Sequence, residues 1–416
     1  MKRGWIIVLA VVSVVSAASA ADDFIDRVED SLVFADAKGA MRARLTGTLD
    51  LEGYHFGLPA PGLLYTESEN LFSPRLSIFL DAQLGQSIYV FAQARADRGF
   101  DPGDEKRQLR LDEFAVRFSA SAEGRFNVQI GKFATVVGNW VGRHDSWSNP
   151  FITAPLVYEN LTGIWDAAAP SSVDSLLRWS HLRPSFLLEG GKDDKERRLP
   201  IIWGPSYADG LALSGRIERF EYAAELKNAA LASRPDSWKA TNEQWQNPTL
   251  SGRIGFRPNE AWNLDFSASS GSYLRSSAKP TLAPGHGLGD YRELVLAQDF
   301  GFAWHHFQLW AEIYETRFKI PRIGDADTVS YYAEAKYKFT AQFFGAIRWN
   351  QQVYGTLIDS MGQRTPWGRD IWRIDFAPAY RFTPHVQLKF QYSLQRTEGV
   401  TTDWNNIFAL QSTVRF

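Results

Sequence analysis

From Met41 onward, apolar and polar side chains alternate with a period of two, and no other feature of the chain limits its folding as tightly. Met41, Ala43, Leu45, Gly47, Leu49 and Leu51 stand against Arg42, Arg44, Thr46, Thr48, Asp50 and Glu52. Residues two apart share a face of a strand, so this segment has one apolar and one ionic face. Such a strand fits between lipid and water. The pattern returns in hairpins: Leu76–Ala82 into Val90–Ala96, Phe114–Phe118 into Phe126–Ile130, Leu211–Ile217 into Tyr222–Leu226, and Leu250–Phe256 into Trp262–Ala268. It continues in Ala333–Phe339 into Phe343–Trp349, and in Trp372–Phe382 into Val386–Leu394, where Pro378 removes a ladder donor. Leu109 and Leu111 have the parity opposite to Phe114, which predicts a bulge near Asp112-Glu113.

The connections alternate in length. Turns of about two to five residues follow alternate strands, while the loops between them run to about ten to forty. The long ones fall at 57–74, 98–106, 135–172, 192–208, 230–248, 271–289, 318–327, 354–368 and 397–404. Short turns at one rim and long loops at the other are a membrane-barrel pattern that a soluble sandwich has no reason to adopt. The expected fold class is all-β, a transmembrane antiparallel β-barrel over 41–416 with about eighteen strands and both ends on the periplasmic side. Segments 173–182 and 184–189 are its weakest strands, and without them the tally is sixteen. A barrel of that width keeps an aqueous lumen. Trp262, Phe256, Phe339, Phe343 and Phe382 lie beside short turns, as an interfacial aromatic girdle requires.

The first twenty residues read as a signal peptide. Lys2 and Arg3 precede the apolar stretch Trp5–Val15, and Ala18-Ser19-Ala20 supplies the small-residue cleavage site. Residues 21–40 lack alternation and fit either a short helix or a periplasmic leader of unknown structure. No later apolar run approaches eighteen residues, so spanning helices are excluded. Mean hydropathy is −0.27, the value of a soluble protein and equally of a barrel whose alternate residues alone meet lipid. There is no cysteine, which removes disulfide scaffolds and Cys-ligated metal sites. The net charge of −2 becomes −4 without Lys2 and Arg3, and it carries no basic bias toward nucleic acid.

The last strand, Asn405–Phe416, alternates Phe408, Leu410, Ser412, Val414 and Phe416 with Ile407, Ala409, Gln411, Thr413 and Arg415. Joined to the export signal, it resembles the terminal strand of bacterial outer-membrane barrels, in which a terminal Phe is read by the barrel-assembly machinery. That resemblance makes Phe416 the assembly signal. Its natural partner is Met41–Tyr54, whose two faces match it. A further likeness lies in Leu111-Asp112-Glu113-Phe114-Ala115-Val116-Arg117-Phe118 and Val128-Gln129-Ile130-Gly131-Lys132-Phe133. These strands resemble the pair preceding the third long loop in Gram-negative porins, with the phosphate-selective type nearest. The resemblance implies an inward third loop at 135–172, a homotrimer and the outer membrane of a Gram-negative bacterium. The chain departs from phosphate selectivity, because it has no long basic ladder unopposed by acids.

On that likeness, Trp140, Arg143, His144, Asp145 and Trp147 are the expected pore constriction. Parity places Arg42, Arg44, Arg95, Arg125 and Arg216 toward the lumen, together with Arg253, Arg348, Arg373, Glu312 and Glu334. Neither sign dominates, and opposed charges across a constriction orient dipolar solutes rather than select one ion. Trp140, Trp147 and Trp165 offer a sugar-stacking path or, alternatively, pins that hold the loop to the wall. His144, Asp145 and Ser146 have a nucleophile-and-base composition, yet adjacent residues on one loop do not make a triad. No P-loop, dinucleotide fingerprint or metal-helix motif occurs, so no cofactor is implied. The expected function is passive diffusion of small hydrophilic solutes. Its rivals are a substrate-specific channel for oligosaccharides or organic anions, a barrel hydrolase, and an exported structural or adhesive β-protein.

Overall fold

The structure is a computed structural model describing residues 24–37, 39–100, 107–121, 123–181, 194–238, 245–399 and 404–416. The expected signal segment 1–20 and the expected strand 184–189 lie outside the described residues. In chain order it contains helix α1 (24–31), β1 (Val33–Ala35), β2 (Met41–Phe56), β3 (Asn70–Leu84), β4 (Ile88–Asp97), β5 (Gln108–Ser119) and β6 (Asn127–Phe133). Next come α2 (Leu156–Glu159), α3 (Val173–His181), β7 (Ala208–Ile217), β8 (Phe220–Lys227), β9 (Thr249–Phe256), β10 (Trp262–Ser272) and β11 (Arg292–Trp304). The rest are β12 (Phe307–Ile320), β13 (Gly324–Lys338), β14 (Phe343–Tyr354), β15 (Thr356–Ile358), β16 (Arg364–Pro366), β17 (Ile371–Arg381), β18 (Val386–Thr397) and β19 (Trp404–Arg415).

Sixteen strands, β2–β14 and β17–β19, close an all-antiparallel barrel. The seam joins β19 to β2 in the register Gln411↔Glu52, Thr413↔Asp50 and Arg415↔Thr48. Closure pairs the two end strands of the barrel, so their ladder groups find partners without water. β1 pairs with Arg42–Arg44 of β2, extending the ladder beyond the end of β19. Residues 21–40 therefore include a short helix followed by an edge strand. Pro378 is accommodated in β17 opposite Gly345, and pairing with β18 lapses between Phe376↔Tyr392 and Ala379↔Lys389. The bulge falls at Asp112, because Gln93 pairs with Glu113 and Ala94 with Leu111.

Burial is inside out. Leu49, Ile78, Ile130, Ile254, Phe390 and Leu410 are exposed on the outer face, while Asp50, Glu52, Arg110, Glu312, Arg348 and Lys389 are buried within. A water-soluble sheet reverses that arrangement, so the outer face is built for lipid. Aromatics gather near both rims: Tyr337, Phe339 and Phe343 toward the short turns, and Trp349, Trp372 and Trp404 toward the long loops.

Three expectations change. The barrel has sixteen strands among the described residues, the lower of the two tallies the sequence allows, and 173–181 is not one of them. Val173–His181 is α3, whose buried Leu176, Leu177 and Ser180 recur at helical spacing, while Ser172 Oγ accepts the Ser175 N–H at 3.2 Å as an N-cap. The connection between β6 and β7 consequently spans 134–207 in sequence, longer than the loop expected at 135–172, with 182–193 outside the described residues. The loop expected at 318–327 is a three-residue connection between Ile320 and Gly324, with Arg322 at φ 64°.

Candidate constriction site

A long segment without regular structure inside a barrel must find partners for its own amides and carbonyls. The lumen wall supplies them. From β12, Glu312 Oε1 accepts the Asn139 and Trp140 N–H groups at 2.6 and 2.7 Å, and its Oε2 accepts the Tyr158 and Tyr314 hydroxyls. From β18, Lys389 Nζ donates to the carbonyls of Ser146, Asn149 and Phe151 at 2.7, 3.0 and 3.3 Å. Gln391 Oε1 accepts the Ile152 and Thr153 N–H groups. Arg348 of β14 donates to the Thr153 carbonyl, and Arg373 of β17 to that of Ala154. From β9, Arg253 holds the Gly138 carbonyl at 2.6 Å. Gly138 has φ +79°, and a Cβ there would lie 2.2 Å from the Tyr314 hydroxyl, so no other residue fits this turn. Residues 134–159 are thus fastened to the β9–β18 side of the wall.

Beyond 160 the segment turns back across the long-loop end. Ile164, Leu176, Leu177, Leu199 and Trp203 pack there with Tyr273, Leu288, Phe318 and Trp367 into an apolar core. That core closes this side of the outer half of the barrel.

Across the lumen, β2–β5 present a ladder of opposed charges. Arg75 bonds Asp50 at 3.0 Å and also Glu52. Arg95 bonds Asp97 at 2.9 Å, and Arg110 bonds Asp112 at 2.6 Å and also Asp97. The Asp112 bulge keeps Arg110, Asp112 and Glu113 on the inner wall, which is why simple parity misses Arg110.

Two cavities lie between fastened segment and ladder. The larger, about 880 Å³ on the short-turn side, is lined by Gln93, Glu113, His144, Asp145, Arg216 and Arg253 among others. The smaller, about 260 Å³ on the long-loop side, is lined by Glu52, Arg75, Arg95, Arg98, Arg110 and Glu159 among others. They share no lining residue, and Asp50, Ser77, Asp112 and Ser146 are buried at the level between them. These buried side chains separate the two cavities.

The residues expected at the constriction divide. His144 and Asp145 line the larger cavity. Arg143 turns instead into the wall, where it bonds Glu334 at 2.5 Å and the Tyr332 hydroxyl at 3.0 Å and covers Trp310. Trp140 is buried against Tyr158, and Trp147 lies under the guanidinium groups of Arg381 and Arg415. Trp165 stacks on Trp179 at 3.9 Å. Ring contacts of this kind pin the segment, the alternative that the sequence allowed for these three tryptophans. Of the residues assigned to the lumen by parity, Arg95 belongs to the ladder, whereas Arg253, Arg348, Arg373, Glu312 and Glu334 meet the inserted segment or the side chains that hold it. Arg216 edges the larger cavity, and Arg42 and Arg44 lie at the short-turn mouth, where Arg44 meets Glu29 of α1 at 3.3 Å. Arg125 is a turn residue paired with Glu123 and largely exposed, not a wall residue.

His144 places Nδ1 2.6 Å from the Val141 carbonyl and Nε2 2.9 Å from the Tyr207 hydroxyl. Both ring nitrogens are thereby engaged away from Ser146. Burial pushes its pKa below the usual histidine value, and nearby Arg95 adds to the effect against the opposing pull of the Val141 carbonyl, Asp145 and Asp112. The folded state then binds fewer protons than the unfolded one below about pH 6.5, so stability falls as pH drops through that range. His144→Asn is expected to flatten this part of a thermal-melting pH profile between about pH 6.5 and 5. An unchanged profile would show that His144 is not the titrating group. Among the described residues no group of three His, Cys, Asp or Glu is placed to hold a metal ion.

The fold is a porin-like barrel: sixteen antiparallel strands around a polar interior that a long loop enters. Neither a family model nor a curated protein matches the sequence. Solved structures do match. The anion-selective porin from Comamonas acidovorans aligns with a TM-score of 0.55 at 10% identity over 90% of this chain and 100% of that one. OmpF of Salmonella typhi, solved with daunomycin, aligns at 0.56 and 11% over 92% and 100%. The outer-membrane channel DcaP of Acinetobacter baumannii aligns at 0.55 and 9% over 92% and 99%.

Proposed function

We propose that the chain is a porin of a Gram-negative outer membrane, admitting small hydrophilic solutes by passive diffusion. The observation that supports this reading is the inside-out barrel whose polar interior keeps cavities beside a segment fastened to one wall. The lumen hydrates the solute while the outer face meets lipid. The narrow level between the β2–β5 ladder and His144–Ser146 is the filter. Its alternating Arg and Asp/Glu side chains form a transverse field rather than a ring of one sign. The assembly reading, with homotrimers and recognition of β19 by the barrel-assembly machinery, belongs to the same proposal. One matching structure, OmpT of Vibrio cholerae, is described as a trimer form.

Purified protein in planar bilayers is expected to give stable open channels, and liposomes carrying it should swell in a graded sugar series without saturation or competition. Absence of channels would refute the reading. Ion preference should follow the ladder. Arg95→Ala is expected to move the reversal potential in a tenfold KCl gradient toward cation preference. Arg143→Ala should leave it nearly unchanged, because that charge is spent on Glu334 away from the route. The reverse ranking would place the filter at Arg143.

A further inference from the structure

At the long-loop end of β8–β12, five buried oxygen atoms have no hydrogen-bond partner: Asn228 Oδ1, Ser233 Oγ, Thr249 Oγ1, Glu293 Oε1 and Thr316 Oγ1. Each of these residues is more than nine-tenths buried. A polar atom so placed is costly unless something satisfies it. Asn228 Oδ1 and an ionised Glu293 Oε1 can only accept, so a donor or a cation must meet them. Lys227, the nearest ammonium along the chain, is engaged elsewhere, donating to the Phe133 carbonyl at 2.8 Å and pairing with Glu225 at 3.4 Å.

The strand register gathers these atoms around one carboxylate. Gly271 lies opposite Glu293, and a Cβ at position 271 would sit 2.0 Å from Thr249 Oγ1. Thr249 and Glu293 thus flank a residue of β10 that has no side chain to separate them. Thr316 is opposite Val295, the next residue of β11 on the inner face, which makes it the diagonal neighbour of Glu293. From the loop after β8, the Ala232 N–H donates to Glu293 Oε2 at 3.1 Å, and Ser233 follows directly. Asn228 begins that loop, next to the Lys227↔Thr249 pair. Three strands and one loop therefore bring neutral oxygens toward a single buried carboxylate.

We propose that these oxygens form a structural binding site for a monovalent alkali cation, sodium being the fitting ion. Hard cations take carboxylate and carbonyl oxygens, and a Ser or Thr hydroxyl serves as a further ligand. One carboxylate balances one charge, whereas calcium loops gather several. The ion ties the 228–233 loop to the wall. The Trp203 N–H donates to the Leu231 carbonyl of that loop at 2.8 Å, so the same ion steadies the inserted segment. None of the five residues lines either cavity, and the site does not depend on which solute passes.

Thermal melting of the purified full-length protein in sodium chloride and in choline chloride of equal concentration tests it, since choline is too large to enter. The midpoint is expected to be higher in sodium by on the order of 3 °C. Thr249→Val and Glu293→Gln should each abolish that difference while the protein still migrates as a heat-modifiable barrel. Ser233→Ala, whose position lies off the barrel ladder, serves the same purpose should a strand variant fail to fold. Crystals of the wild-type protein grown with thallium(I) in place of sodium should show an anomalous peak between Glu293 and Thr249. Equal melting in the two salts together with no thallium peak would overturn the site and assign these oxygens to buried water or to a protonated Glu293. A rise with calcium and none with sodium would overturn the monovalent assignment.

Discussion

Glu312→Ala is expected to release the inserted segment and at least double the single-channel conductance, with a noisier open state. One carboxylate accepts two backbone N–H groups, from Asn139 and Trp140, and two hydroxyls, from Tyr158 and Tyr314. Each buried donor left without a partner costs about 1–3 kcal/mol. The two hydroxyls can still pair with each other, since they lie 2.6 Å apart, but the two amides have no such alternative. Relaxation of 138–141 into the lumen restores those amides to water, and it moves His144 and Asp145 away from the filter level. Lys389→Met should act in the same direction at the other end of the fastened stretch, where one ammonium gathers three carbonyls. Barrel closure depends on neither residue, so both variants should keep heat-modifiable migration on gels. Wild-type conductance and an unchanged sugar cut-off in both variants would falsify the anchoring role assigned here.

Gly47→Val is expected to abolish nearly all folded, heat-modifiable barrel, an effect matched by deleting Phe416. At the seam the Gly47 N–H donates to the Phe416 carbonyl at 2.7 Å and its carbonyl accepts the Phe416 N–H at 3.0 Å. The Phe416 ring then lies across the glycine, and a Cβ at position 47 would sit 2.4 Å from Cζ. A branched side chain there displaces the ring and strains the pair of bonds that ends the β19–β2 ladder. Gly53 lies on the same face of β2 with nothing within 4 Å of an added Cβ, which makes Gly53→Ala the matched control. Urea-dissolved and membrane-extracted fractions of the three variants, run with and without heating, decide the matter. Normal membrane levels of folded Gly47→Val protein would show that the seam tolerates loss of this contact.

The barrel was legible because strand alternation is a local signal. Each inward residue is two positions from the next, and Gln411, Thr413, Asp50 and Glu52 carry that parity wherever the strands finally lie. The bulge was legible for the same reason, as a change of parity between Leu111 and Phe114. Segment 173–181 was misread because two-residue and 3.6-residue periods overlap in a short apolar run. The Ser172 cap and the spacing of Leu176, Leu177 and Ser180 were the available signal.

The site is a different case. Arg143 and Arg95 are both arginines with suitable neighbours in sequence, and their roles separate only when Glu334, nearly two hundred residues from Arg143, takes one of them into the wall. Glu293 of β11 and the loop at Ala232 likewise meet from positions 61 residues apart. By itself the sequence determined an alternating barrel and its closing pair of strands, because periodicity and turn spacing act over neighbouring residues, whereas the inward loop was implied only by the resemblance to porins. Tertiary structure alone decided which wall holds the loop and which charges are left facing the cavities beside it. Those depend on side chains meeting across the lumen, and no local pattern records such encounters.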